Sequence, residues 1–162
     1  MITLDLGCGG NPKNPYQARE VWGIDFYSDS DKNIKGADLA IDPIPFPDNY
    51  FNFVTAYDLI EHIPRVLYVP TRRNPFIELM SEIFRVLKPD GFFYSHTPAF
   101  PHAAAFMDPT HVNIITEGTF GLYFGDTSAT SPWGVIYGFK GQFKLVEERW
   151  DGPHLATLLQ KK

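Results

Sequence analysis

Three carboxylates stand at or near the ends of apolar runs: Asp5 in Ile2-Thr3-Leu4-Asp5-Leu6, Asp25 after Val21-Trp22-Gly23-Ile24, and Asp42 after Ala37-Asp38-Leu39-Ala40-Ile41. A carboxylate so placed can hold a cationic amine or accept paired hydrogen bonds from a vicinal diol. Between the first two lies Gly7-Cys8-Gly9-Gly10. Glycines there reach positive φ and let a ligand approach the main chain without meeting a Cβ. Strand, glycine turn, strand, acidic residue is the pattern of a nucleoside-binding site. Four imidazoles, His62, His96, His102 and His111, are candidate proton acceptors. His111 belongs to Asp108-Pro109-Thr110-His111, on the long loop after the fifth expected strand. Imidazole and carboxylate also suit divalent ions. The spacings of His96, His102, Asp108 and His111, 6, 6 and 3, match no compact ligand motif, and no metal is assigned.

The elements that must position these groups follow from periodicity. Ile2, Leu4 and Leu6 alternate as a short buried strand, and Val21–Asp25 reads as a second. Pro12 and Pro15 leave room for no more than a short or irregular helix near Tyr16–Glu20. Ala37–Asp42 reads as a third strand, and Pro43, Pro45 and Pro47 exclude regular structure after it. Phe51–Tyr57, rich in aromatic and β-branched residues, is expected as a central strand. Phe76, Met80, Ile83 and Leu87 form one stripe and predict a helix over Pro75–Leu87, with Asn74 as N-cap and Pro75 at the first helical position. Phe92–Thr97 is a fifth strand, a helix is expected from Thr116-Glu117, and Phe143–Trp150 with His154–Leu159 forms a closing hairpin. The expectation is an α/β fold of four or five βα-type repeats ending in an antiparallel pair, one domain over residues 1–162.

The chain has 162 residues, 44% hydrophobic and 20% charged, which is a globular composition. A net charge of −5 argues against broad nucleic-acid binding, which needs a basic surface. Arg65, Arg72 and Arg73 make the one basic cluster, read more simply as a solvated face. The single cysteine, Cys8, excludes an internal disulfide and fits a reducing compartment. With no leader-like start and no long apolar run, a cytoplasmic protein without a membrane span is expected.

A dinucleotide fingerprint would need a third glycine where Pro12 stands, so that reading fails. The Asp-Leu-Gly-Cys-Gly string at 5–9 instead resembles motif I of class I S-adenosylmethionine-dependent methyltransferases, of the type 11 kind. Pro45-Phe46-Pro47-Asp48 through Phe51-Asn52, Asp58-Leu59-Ile60-Glu61-His62-Ile63 and Arg85-Val86-Leu87-Lys88-Pro89-Asp90-Gly91 are similar to three further family segments, in the family's order. Asn52 stands where the family usually has aspartate, and Asp90 replaces a glycine. The resemblance implies a Rossmann-like sheet, S-adenosylmethionine as methyl donor and S-adenosylhomocysteine as product; the N-terminal helices that often form a lid in the family are expected to be absent here. It implies that Gly7, Cys8, Gly9 and Gly10 line the cofactor and that Asp5 helps position its ammonium. Asp25, with Phe26 beside it, would take the ribose hydroxyls, and Asp42, preferred to Asp38, the adenine amino group. Tyr57 and Asp58 would lie beside the methionine moiety.

His111 and His62 are the candidate bases. The family's nucleic-acid amino-methylating motif is missing after the fourth strand, where Ala56-Tyr57-Asp58-Leu59 stands. The acceptor is therefore expected to be a small molecule, a glycan or another non-nucleic compound, with Phe100, Phe106, Tyr123, Phe124 and Trp133 as candidate pocket aromatics. A partner subunit or a large substrate could close the pocket. The rival readings are a catalytically silent module that binds the cofactor or a protein partner, and an unrelated nucleotide binder.

Overall fold

The computed structural model describes residues 1–126 and 131–162. Seven strands build one sheet: β1 Ile2–Leu6, β2 Glu20–Asp25, β3 Ile34–Gly36, β4 Phe51–Tyr57, β5 Leu87–Pro98, β6 Phe143–Asp151 and β7 His154–Lys161. Their spatial order is β3-β2-β1-β4-β5-β7-β6. The first five neighbours are parallel, whereas β7 joins β5 and β6 antiparallel. The mostly parallel sheet with an antiparallel C-terminal hairpin is thus as the sequence predicts. From β1 the chain steps outward to β2 and β3, then returns to place β4 on β1's other side. That reversal opens a crevice at the carboxyl ends of the strands.

One face of the sheet carries the core. The helix α1, Pro75–Val86, buries Phe76, Leu79, Met80, Ile83 and Val86 in one cluster with Leu4, Leu6, Val54, Ala56 and Phe93. Between β5 and β6 come α2, Ala104–Met107, and α3, Thr119–Phe124. Phe124 of α3 meets Phe76 edge to face with ring centres 5.2 Å apart. Pro75 opens α1 as expected, but the Asn74 side chain makes no capping bond; Glu78 accepts the Asn74 N–H instead, at 3.4 Å. At the other end Lys161 Nζ donates to the carbonyls of Phe84 and Leu87, both at 2.7 Å, and to Asn49 Oδ1 at 2.9 Å. These are carbonyls that a helix terminus leaves open, and a cation is favoured there.

Several expectations are corrected. The third strand is Ile34–Gly36, not Ala37–Asp42. Asp38 Oδ1 accepts the Ala40 N–H and Asp42 Oδ2 accepts the Asp38 N–H, so short side chains fold 37–42 into a turn that competes with strand pairing. No helix forms over Tyr16–Glu20, where Gln17 sits at φ 51. The helix expected from Thr116 begins only at Thr119. Of the parallel crossovers, β4 to β5 alone contains an α-helix, so the four or five βα units reduce to one. The opposite face of the sheet accordingly presents a half-buried row of Phe53, Tyr57, Phe92, Tyr94 and His96, covered in part by Tyr16, which stacks on Phe53 at 4.1 Å. No helix of the described residues is long and apolar enough to cross a membrane.

Candidate active site

At the carboxyl ends of β1, β2 and β4 lies a cleft of ≈ 500 Å³ bounded by Gly7, Asp25, Phe26, Asp38, Leu59 and His62. That volume falls within the range of small-molecule sites. Gly7 takes φ +63°, and a Cβ there would come within 2.9 Å of Leu59 Cδ1. Gly9 takes φ +58° with open space around it. Asp25 ties this loop down: Oδ2 accepts the Gly9 N–H and Oδ1 the Phe26 N–H, each at 2.8 Å. A carboxylate has about four acceptor positions, so both oxygens retain capacity for a ligand diol. A Cβ on Gly23 would lie 2.5 Å from Cys8 Sγ and 2.7 Å from Pro12 Cγ. The close approach that a dinucleotide fingerprint obtains from its third glycine is therefore obtained here from a glycine in β2, which explains how Pro12 fits. Burial pushes the Cys8 thiol up to about 11, so it stays protonated and unreactive at neutral pH.

Asp5 lies under the loop, 1% exposed. Its Oδ2 accepts the Lys13 N–H at 2.8 Å and its Oδ1 the Thr55 hydroxyl at 2.7 Å. Burial nevertheless dominates and raises its pKa above 3.8. A carboxyl raised on folding favours the native state most when protonated, and that advantage is lost as pH rises through its folded value. Asparagine can accept from Lys13 and donate to Thr55 Oγ1. Asp5→Asn is therefore expected to be at least as stable as the parent at pH 7, the difference shrinking as pH falls through the raised folded value and levelling off below 3.8; thermal melts across pH check this.

The third carboxylate is reassigned. With β3 ending at Gly36, Asp38 is the residue at the strand end and lines the cleft, whereas Asp42 faces a separate cleft of ≈ 540 Å³ around Arg73, Glu82 and Arg85. Gly7, Asp25 and Phe26 are brought together as expected; Cys8, Gly9 and Gly10 complete the loop beside them. Tyr57 faces the other side of the sheet under Lys13, whose Nζ stands 4.2 Å from its ring centre, and burial pushes its phenol up to about 12. Asp58, at φ 49, accepts from His154 Nε2 at 2.9 Å.

The histidines regroup in space. His102 packs edge-on to Trp150, and Asp108 accepts from Thr110. His96 stacks on His154, 4.3 Å between ring centres, and faces Asp151. His62 and His111 meet edge to face at 4.8 Å, beside the cleft, with the Thr110 hydroxyl 3.1 Å from His62 Nδ1. Beneath them is Glu61, 1% exposed, a residue to which its sequence context alone gives no role. Its Oε2 accepts from the Thr97 hydroxyl at 2.6 Å, and its main-chain carbonyl accepts from Val112 and Asn113. Burial holds its carboxyl above the ordinary glutamate value. The buried Asn113 staples the two segments, donating to Ile60 O and accepting from Arg65 Nε.

Arg65 and Arg73 are spent on internal partners, Asn113 for the first and Glu78 with Ile41 O for the second. Of the pocket aromatics, Phe100, Tyr123 and Phe124 line another cleft of ≈ 600 Å³ near Arg65, while Phe106 and Trp133 stand outside it, half exposed.

Residues 4–95 match a family model described as "Methyltransferase domain". Among solved structures, a SAM dependent methyltransferase from Archaeoglobus fulgidus aligns over 99% of this chain and 86% of its own, at 16% identity and TM-score 0.61. One from Aquifex aeolicus aligns over 100% and 82%, at 16% identity and TM-score 0.61. The PH0226 protein from Pyrococcus horikoshii OT3 aligns over 99% and 82%, at 18% identity and TM-score 0.61. Among curated proteins no sequence match is found. The family match spans more than half of the chain and includes the glycine loop, Asp25 and the Glu61-His62 pair; the chain belongs to the class I S-adenosylmethionine-dependent methyltransferases.

Proposed function

We propose that the protein methylates a small-molecule or glycan acceptor in the cleft above β1, β2 and β4. The observation that carries this is that one cleft is bordered both by Asp25, which holds the open Gly9 loop, and by His62 with Thr110. S-adenosylmethionine, when bound, supplies an electrophilic methyl group on a sulfonium, so the protein's task is alignment and exclusion of water.

Asp25 would hold the ribose diol through the acceptor capacity that Gly9 and Phe26 leave free. Gly7 and Gly9 give main-chain access, and Leu59 and Ile63 wall the cleft apolar side. Asp38, by its place at the end of β3, takes over the adenine contact first expected of Asp42. Asp5 supplies negative charge beneath the loop, buried enough to act at a distance. Tyr57 stays a neutral phenol and serves as a platform for Lys13. Activation of the acceptor falls to the His62–His111 pair, of which His62 borders the cleft. The acidic net charge and the internally paired arginines support a non-nucleic acceptor, and the lone free Cys8 supports a reducing, cytoplasmic setting.

The test is transfer of labelled methyl from S-adenosylmethionine into fractionated metabolites, glycans and nucleic acids. Label is expected in the low-mass or glycan fractions. Label in RNA or DNA would overturn the acceptor class, and cofactor binding without any transfer would favour the silent module.

A further inference from the structure

Two side-chain atoms beside the cleft are buried with no hydrogen-bond partner, Glu61 Oε1 and His111 Nδ1. One nitrogen from each of His62 and His111 and one Glu61 oxygen all lie within 4.8 Å of one another. A buried carboxylate oxygen and a buried imidazole nitrogen are ordinarily satisfied. Here both are orphaned, and they belong to the same three-residue cluster. Donors held by one ion at about 2.1 Å stand about 3.4 Å apart in a tetrahedral arrangement, so small side-chain rotations bring the set to bonding geometry.

We propose that Glu61, His62 and His111 form a binding site for a divalent transition-metal ion beside the cleft. Two imidazoles and one carboxylate suit borderline ions such as Zn²⁺, Mn²⁺, Co²⁺ and Fe²⁺ more than Mg²⁺ or Ca²⁺, which prefer all-oxygen shells. Three protein ligands leave coordination positions open, the arrangement of a site that binds an exogenous oxygen. His62 borders the cleft, which puts the site within reach of a bound acceptor. The second shell exists already: the Thr97 hydroxyl fixes Glu61 Oε2, leaving Oε1 free, and Thr110 orients His62. Resting on the methyl-transfer reading, the ion would hold a hydroxyl-bearing acceptor by its oxygen. Sequence spacing hides this set, because Glu61 and His62 are adjacent whereas His111 arrives on a distant loop pinned by Val112 and Asn113 to the Glu61 carbonyl.

A rival cluster, Asp58, His96 and His154, lies elsewhere, but both of its imidazoles already face carboxylates, Asp151 and Asp58, and Asp58 is exposed. It serves as the internal control.

The full chain is stripped with chelator and titrated with Co²⁺, followed by visible absorption, and with Mn²⁺, followed by electron paramagnetic resonance. One equivalent is expected to bind, with the absorption of nitrogen–oxygen ligation. Glu61→Gln, which keeps the Thr97 contact, and His111→Ala should each weaken binding at least tenfold, while His154→Ala leaves it unchanged. Absence of stoichiometric binding, or loss of binding in His154→Ala with Glu61→Gln unaffected, would overturn the proposal. Calorimetry with S-adenosylhomocysteine on the stripped protein reads the cofactor site independently, so failure of the metal site and failure of the methyltransferase reading are told apart.

Discussion

Asp25→Ala is expected to lower affinity for S-adenosylhomocysteine by about 100-fold or more while the protein stays folded. Hydrogen bonds to a charged acceptor contribute about 1.5–3 kcal/mol each, and a ribose diol would make two. The same substitution removes the acceptor of the Gly9 and Phe26 N–H groups. Both bonds are exposed, so water replaces the carboxylate and the cost in stability is held to about 1 kcal/mol. Asp25→Asn separates the two effects, since the amide oxygen can keep one loop bond but carries no charge. Calorimetry beside thermal melts checks the pair. A drop in affinity under tenfold for alanine would remove Asp25 from the ribose site.

Arg85→Met, outside the cleft, is expected to cost about 3 kcal/mol. Every guanidinium N–H has a partner. Nε donates to Glu82 Oε1 at 2.9 Å, Nη1 to Phe46 O at 2.8 Å and Asp48 Oδ1 at 2.9 Å, and Nη2 to Ile44 O at 2.9 Å and Glu82 Oε2 at 2.6 Å. Glu82 Oε2 also accepts the Ile44 N–H. This one side chain thus fastens the proline-rich segment 43–48 to α1, and methionine would keep the volume while stranding two carbonyls. Its hydrogen bonds to Arg85 also draw Glu82 below its usual 4.5. A carboxylate depressed on folding contributes its stability above the unfolded value and loses it as pH falls through the folded one. The deficit of Arg85→Met should therefore be full at pH 7 and narrow as pH falls below 4.5 and through the depressed value at which Glu82 protonates in the parent; denaturant titrations across pH would show it. A constant deficit down to the acid limit would mean the carbonyl contacts alone matter.

Arg85 also illustrates what could be read from the chain. Its place in Arg85-Val86-Leu87-Lys88-Pro89 was legible, and so were β1, β2, β4, α1 and the hairpin, because each is specified by its own periodicity or by local punctuation. What Arg85 holds was not, since Ile44, Phe46 and Asp48 come from a distant segment. Ala37–Asp42 misled for a different reason: its alternation suits a strand, yet Asp38 and Asp42 satisfy nearby N–H groups and make a turn instead. That shift by one element exchanged Asp42 for Asp38 at the cleft. Asp25, Gly7 and Phe26 were legible because a strand end and a glycine turn fix them locally. Glu61 escaped notice because its significance is a missing partner, and only the tertiary fold shows that Thr97 occupies one carboxylate oxygen and leaves the other alone.

The connection from β1 to β2 lacks a helix, and its main chain is anchored instead by two acidic side chains, Asp25 gripping Gly9 and Asp5 gripping Lys13. On the proposed reading Asp25 serves both ribose and loop, so occupancy of the crevice and ordering of this segment would be thermodynamically linked. Proton–deuterium exchange should report that linkage: the amides of Gly9, Gly10, Asn11 and Lys13 ought to exchange more slowly when S-adenosylhomocysteine is added, while those of α1 hardly respond.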